Sequence, residues 1–557
     1  ASRLYFGTSA RKLTLSQSAL LAALIRGPGY YDPRRHAERA RERRDLVLAL
    51  MESQHRITAL AASRARATPL GVVPRRPTPG SEPGLGAYFV EEIRRQAEDR
   101  FGERVYSETL ELETTLDSGL QRAAEEELER QLRAVSPELQ GAVVVLQVGT
   151  GDVLAWVGGR DFRDSRFDRV RSARRQVGSA FKPFVYAAAL QQGHPLSERL
   201  QDEPLQVRLR DGRVWQPKNF DGEYQGAVTV REALVRSRNV PTVRLAEEVG
   251  ASRIARTAHQ AGIRSTIDEG PAMPLGTAAT SPLELATAYS AFATLGERVE
   301  PRLLARARGE DGRELWSAPP SPRRRVLDPA VAFLVTDVLE EAVERGTGTA
   351  VRSAGFDGRA AGKTGTTNDA TDAWFVGYTP SMTAAVWIGF DDPRPITALA
   401  SGGRLAAPVW GRLMARARPD PDAPTAWRMP DTIEEAWVDP DSGTPLSAGC
   451  RPRSGRATRE LFLRDAIPRR TCPAHGEPDP LEAAPSPSDH EASPDLTPPL
   501  RQHQEKASLL RVAANRAWHA VRREAVKRFL EWQERQEKRR EEEREERRRQ
   551  EHPAQGG

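Results

Sequence analysis

Apolar positions recur along this chain with different periods in different zones. From Leu13 to Ile25 they fall at helical spacing, with Thr14 or Ser16 as the N-cap and Gly27, Pro28 and Gly29 as the stop. A second, very basic helix opens at Pro33 and carries Leu46, Val47, Leu50 and Met51, so residues 1–60 predict a helical hairpin with a basic face. Residues 61–86 are rich in Pro, Arg and Gly and read as a linker. A helix follows from Ala87 to about Arg100. Val105 to Leu116 alternates, with Leu110, Leu112, Thr114 and Leu116 on one side, which predicts a strand. Asp117 caps a helix from Leu120 to Leu132. The apolar runs from Gly141 to Gln147 and from Val153 to Val157, joined by turn residues, predict a hairpin covered on both faces.

Phe184 to Leu190 reads as a buried helix. The chain is then mostly helical to about residue 345. It includes a capped helix from Val228 that ends near Ser237, and a helix opened by Ser281 and Pro282. Strand runs return at Ala360–Gly365, Asp372–Gly377 and Met382–Ile388. Strands, a helical middle and more strands predict an α+β fold: an antiparallel sheet with helices on both faces plus a helical subdomain. The expected division is 1–60, a linker region 61–110, a principal domain 111–420, a small segment 421–475 with both cysteines, a disordered linker 476–500 and a charged helical tail 501–557.

Composition narrows this picture. The 557 residues allow two to four domains, and the net charge is +6. Two cysteines are too few for a disulfide framework, and no apolar run is long enough to span a bilayer. No signal peptide is visible, and Ala1 to Gly7 reads as the middle of a domain, so a fragment lacking its front is expected. None of the nine histidines sits in a metal-ligand pattern, so no metal and no cofactor are expected. The Arg-rich segments carry no nucleic-acid recognition module.

Candidate chemistry centres on Ser179 and Lys182. On a helix these positions share a face, so the amine can reach the hydroxyl. Gly178 permits a sharp turn into the helix, and its free N–H groups favour developing negative charge at Ser179. A buried lysine with a lowered pKa can accept the serine proton. The spacing alone is weak, since Ser9 and Lys12 repeat it in what reads as a solvated loop. Two further motifs are each unique in the chain: Ser237-Arg238-Asn239 and Lys363-Thr364-Gly365-Thr366. The ordered trio is the signature of class A β-lactamases and penicillin-binding proteins.

Residues 87–420 resemble the transpeptidase domain of class A penicillin-binding proteins. The resemblance extends to Thr114–Gln121, Gly158–Phe162, Lys218-Asn219-Phe220, Pro274–Thr277 and Ala373–Tyr378. Asp168 stands where the family often has Asn, and Val177 where it often has Pro. Residues 1–60 resemble the end of the family 51 glycosyltransferase domain, through Tyr5–Gly7, the Leu13–Ala22 run, Tyr31–Pro33 and Arg43–Leu48. That family's catalytic glutamates lie upstream of this region, so this remnant is expected to be inert alone.

The resemblance implies a serine acyltransferase that cross-links D-Ala-D-Ala stem peptides and is trapped by β-lactams. Ser179 would be the nucleophile, Lys182 its base, Ser237 a proton relay, and Asn239 a holder of Lys182 and the substrate amide. Lys363, Thr364, Gly365 and Thr366 would bind the terminal carboxylate, and the Ser179 and Thr366 N–H groups would form the oxyanion hole. It also implies a bacterial inner-membrane protein with its catalytic domain on the outer side, in contact with peptidoglycan and cell-envelope proteins. In that oxidising setting a Cys450–Cys472 disulfide is expected, worth about 3 kcal/mol. Ala514, Ala517, Trp518, Val521, Ala525, Phe529 and Trp532 line one face of the tail helix, for a membrane, a partner or the parent domain. A D,D-carboxypeptidase, a β-lactam-hydrolysing or sensing protein of the same fold, and a non-catalytic cell-wall scaffold are the alternatives.

Overall fold

The computed structural model describes residues 1–470 except 28–29, 35, 74–83, 210, 368, 419–421, 449, 451 and 453–455. The expected linker 476–500, the tail 501–557 and Cys472 lie outside the described residues.

Near the N-terminus, α1 (Leu15–Leu24) opens with a capping box between Thr14 and Gln17. It packs with α2 (Ala37–Ser53) and α3 (Ala59–Ala67). Arg44 is fully buried among them. It donates to Ser16 Oγ at 3.2 Å, Thr68 O at 2.7 Å and Arg66 O at 2.9 Å. The Pro/Arg/Gly-rich linker expected from residue 61 is therefore helical as far as Ala67. Thr58 caps this stretch, and Ala65 packs against Ala19 and Leu48. Lys12 ends a short 3-10 helix rather than a loop.

Next come α4 (Ala87–Phe101) and α5 (Ser118–Arg133), the latter capped by the Asp117 side chain. The strand expected from Val105 to Leu116 shrinks to Glu111–Thr114, paired with Leu304–Arg308. A helical turn takes Arg104–Ser107 instead, clamped by two 2.9 Å bonds from Arg104 to Glu108.

The core is a five-stranded antiparallel sheet. Its first hairpin is β1 (Gln140–Gln147) and β2 (Val153–Val157). The chain then forms α6 (Lys182–Gln191), and the short pair β3 (Arg199–Asp202) and β4 (Gly226–Thr229). It continues through α7 (Val230–Val235), α8 (Asn239–Val249), α9 (Pro282–Ala293) and α10 (Pro329–Glu344). It returns to the sheet as β5 (Ala361–Thr366), β6 (Asp372–Tyr378) and β7 (Met382–Gly389), and ends on α11 (Gly402–Arg416). The strand order is β5-β6-β7-β1-β2, which leaves β5 on an edge.

Alternation assigns the two faces. Ala142, Val144, Leu146, Trp374 and Trp387 face α6 and α9, whereas Val143, Val145, Phe375 and Val386 face α5 and α11. Trp410 of α11 meets Phe375 at 5.5 Å. The molecule is thus the expected α+β arrangement with helices on both faces.

The single helix expected from Val228 to near Ser237 is the end of β4 followed by α7, and α8 begins at Asn239 after three intervening residues. Pro241 in the first turn of α8 lacks the N–H that a continuous helix needs. The segment after 421 forms a hairpin of β8 (Ile433–Val438) and β9 (Thr458–Leu463). It docks through Arg231, which pairs with Glu460 at 2.6 Å, Asp337 at 2.7 Å and Glu341 at 3.1 Å.

Candidate active site

Residues Arg175 and Gln176 pair with Ala279 and Thr280, then the chain turns at Gly178 with φ +55°. A 3-10 turn over Gly178–Phe181 runs directly into α6, with Pro183 in the first turn. The turn is pinned: the Gly178 N–H donates to Gly276 O at 3.0 Å, and the Tyr289 hydroxyl donates to Ala180 O at 2.6 Å. Only glycine fits at 178, because a Cβ there would lie 2.5 Å from Thr366 O. Ser179 is thereby presented, partly buried, against the end of β5.

Lys182 is wholly buried. Its Nζ lies 2.7 Å from Ser237 O, 3.1 Å from Arg238 O, 2.7 Å from Asn239 Oδ1 and 3.3 Å from Ser237 Oγ. All four acceptors belong to residues 237–239, so the amine points at this corner and not at the Ser179 hydroxyl. Burial first, then the charges of Lys363 and Arg238, hold its pKa well below the usual lysine value.

Ser237 itself has φ +59°, an uncommon conformation for a residue with a side chain. Its hydroxyl also accepts from Lys363 Nζ at 2.8 Å. Lys363 is fully buried on β5, and burial lowers its pKa to about 7. Thr364 donates to the Thr347 hydroxyl at 2.7 Å, and the Thr366 hydroxyl accepts from Gly402 N at 3.0 Å. At Gly365 a Cβ would sit 2.3 Å from Val177 O, so this glycine permits β5 to lie against the Ser179 turn.

The structure therefore brings Ser179, Lys182, Ser237, Asn239, Lys363, Thr364, Gly365 and Thr366 to one place. A cleft of about 300 Å³ opens on Ser179, Ser237, Asn239, Thr364 and Thr366, while both lysines sit beneath it.

Sequence reading missed the supports. Asp202 at the end of β3 is buried and accepts from Arg238 Nε at 2.8 Å and Asn219 Nδ2 at 2.6 Å. Asn219 Oδ1 in turn accepts from Asn239 N at 2.8 Å and Val240 N at 3.2 Å. Asn219 had drawn notice only within the Lys218–Phe220 resemblance, and nothing in the local pattern marks Asp202. Thr347 lines the cleft from a turn, and Ser401 and Gly403 line it from the N-cap and first turn of α11; none of them carried a signal.

The nine histidines carried no metal pattern in sequence. In space, His194, Glu198 and Glu248 bring three potential ligand atoms within 4.8 Å, because Glu248 arrives from α8. His194 Nδ1 is 2.9 Å from Glu198 Oε2, within ordinary hydrogen-bond distance, and none of the three residues lines the cleft.

Comparison with known proteins bears on all of this. Residues 141–415 match the family model described as penicillin binding protein transpeptidase domain, and residues 1–52 match that described as transglycosylase. Penicillin-binding protein 1B of Vibrio cholerae is 34% identical over 415 residues, 73% of this chain and 52% of that protein. Penicillin-binding protein 2D of Bacillus subtilis is 30% identical over 484 residues, covering 85% and 68%. The chain thus spans about half the length of the Vibrio protein. The crystal structure of penicillin-binding protein 1A from Haemophilus influenzae shares the fold at a TM-score of 0.70 and 24% identity, over 84% of this chain and 88% of that one.

Proposed function

Because this chain belongs to the class A penicillin-binding proteins, we propose that its cleft carries out D-Ala-D-Ala transpeptidation. Ser179 Oγ attacks the carbonyl carbon of the penultimate D-Ala as its proton passes to the neutral Lys182 amine. The carbonyl oxygen becomes an oxyanion held by the Ser179 and Thr366 N–H groups. When the intermediate collapses, the C–N bond breaks and the leaving D-Ala takes a proton through Ser237. An amine from a second stem peptide then attacks the ester, returns its proton by the same route and frees Ser179. The Lys182–Ser179 hydrogen bond forms with substrate bound, as catalytic contacts often tighten only then. Lys363, with Thr364 and Thr366, holds the terminal carboxylate, and the open edge of β5 offers backbone groups to an extended peptide.

The observation that carries this reading is the Ser237 hydroxyl. It lies within hydrogen-bond reach of both buried lysines, in the cleft that presents Ser179. Such a serine can pass a proton between an acid and a base only if those amines titrate low, and both do. A β-lactam enters the same path, but its leaving nitrogen stays tethered and blocks the acceptor. Hydrolysis of the adduct in the manner of a class A β-lactamase would need a carboxylate to activate water. Asp221 is the one carboxylate lining the cleft among the described residues, and Arg238 holds it at 2.6 Å. The transpeptidase reading is therefore favoured over a β-lactamase.

The catalytic domain belongs on the outer face of a bacterial membrane, where stem peptides are available. Among the described residues no helix is long and apolar enough to cross a membrane.

The test is mass spectrometry after incubation with benzylpenicillin. One adduct at Ser179 is expected, absent in Ser179→Ala, and Lys182→Ala should slow its formation about 10³-fold. An adduct on another serine overturns the assignment. A donor–acceptor peptide assay then distinguishes transfer from carboxypeptidase release.

A further inference from the structure

Phe220 is 78% exposed and lines the cleft. A large apolar ring left in water beside a reactive centre loses the gain of burial, and the backbone that carries this ring is held by its neighbours. On one side Asn219 is buried, donating to Asp202 Oδ1 and Glu223 O and accepting from Asn239 N and Val240 N. On the other side Asp221 accepts from Arg238, and the Gly222 N–H closes the turn on Asn219 O at 3.0 Å. The backbone is thus clamped before and after residue 220 while the ring stays uncovered. The turn also borders the amide of Asn239, whose Nδ2 donates to Lys218 O at 2.8 Å.

We propose that Phe220 is the apolar platform of the acyl-donor site, packing against the side chain that lies beyond the substrate amide held by Asn239. In a stem peptide this is the aliphatic part of the residue preceding D-Ala-D-Ala; in a penicillin it is the acyl side chain. This inference rests on the acyl-transfer reading above. Because the backbone at residue 220 is already ordered, covering the ring costs only its two side-chain torsions, and the rest of the burial goes into recognition of the donor.

Two penicillins separate the possibilities: benzylpenicillin, which carries an aromatic acyl side chain, and 6-aminopenicillanic acid, which carries none. Phe220→Ala should lower the second-order acylation constant for benzylpenicillin about tenfold. Its constant for 6-aminopenicillanic acid should stay within about twofold of wild type, and Phe220→Tyr should restore the benzylpenicillin rate. Equal rates for Phe220→Ala and wild type with both compounds overturn the platform. An equal slowing with both also overturns it, since the ring would then be supporting the Ser237 corner. A wild-type protein that forms no adduct at Ser179 with either compound overturns the acyl-transfer reading itself.

Discussion

The two walls of the cleft are built differently. One wall is the edge strand β5, held in register by backbone bonds to β6 from Ala361↔Tyr378 to Thr366↔Ala373. Its closeness to the Ser179 turn depends on missing atoms: Gly178 and Gly365 each have backbone oxygen where a Cβ would be, and Gly402 lets α11 approach the same strand in the same way. The opposite wall, residues 236–239, has no ladder. Its N–H groups return to α7 at Glu232, Leu234 and Ala233, and side chains brace it from the other side, chiefly the buried Asp202–Arg238 pair and Asn219, while its Ser237 has a left-handed backbone. The strand wall should therefore fail when an atom is added, and the corner wall when one is removed.

The largest effect is expected at Asp202→Ala. It strips the buried carboxylate from Arg238, whose side chain is 4% exposed, and leaves that charge only the half-exposed Asp221 as an ionic partner. Breaking such a pair costs about 3–5 kcal/mol, because the remaining ion cannot return to water. Urea unfolding measures the loss, and penicillin acylation should fall with it as the Ser237 corner loosens. A loss under about 1 kcal/mol would mean that the corner is held by something other than this network.

On the strand wall, Gly365→Ala is the matching change. The new methyl would sit 2.3 Å from Val177 O and 3.1 Å from Ala180 Cβ, so β5 and the Ser179 turn must part. Overpacking of this kind costs about 1–3 kcal/mol. Activity should suffer more than stability, since a shift near 1 Å in a catalytic group can cost about 10²-fold in rate. The check is to measure melting temperature and acylation rate on the same variant. A variant that acylates at the wild-type rate would show that β5 can withdraw without disturbing Ser179.

The same contrast explains what the sequence disclosed. β1, β6 and β7 are covered on both faces and appear as unbroken apolar runs, so the sheet was legible. Lys363-Thr364-Gly365-Thr366 was legible because it is a compact motif on one of its strands. The corner wall was only half legible. Ser237-Arg238-Asn239 stood out, but its supports come from the end of a short strand, a turn and a loop, none of which has a period. The helix expected from Val228 to near Ser237 does end close to that corner, but its first two residues complete β4, and the φ of Ser237 then turns the chain into α8. Arg104–Ser107 shows the reverse case: the alternating pattern was too weak to extend the strand, and the helical turn there carries an exposed Arg104–Glu108 pair that contributes little in water.

The smallest effect leaves the fold intact and separates the walls by proton affinity. Ser237 Oγ receives Lys182 from one side and Lys363 from the other. Acylation by a carboxylate-bearing penicillin needs Lys182 neutral, to take the serine proton, and Lys363 charged, to attract the carboxylate. A lowered lysine pKa means that the charge is present below that pKa and lost as pH rises through it. Lys363 should therefore shed its charge near pH 7, and the second-order acylation constant of the free enzyme should fall above that pH. The descent should approach about tenfold per pH unit. On the acid side the constant falls as Lys182 takes up a proton, so the profile is a bell whose limbs belong to the coupled pair. Lys363→Arg keeps a positive charge throughout the working range, since a guanidinium does not deprotonate there. Its larger head group will lower the height of the profile, but the alkaline limb should disappear and leave a plateau between about pH 7 and 9. The shape of the profile is the readout. An alkaline limb that persists unchanged in Lys363→Arg would assign that proton to another group and remove Lys363 from the strand wall's electrostatic role.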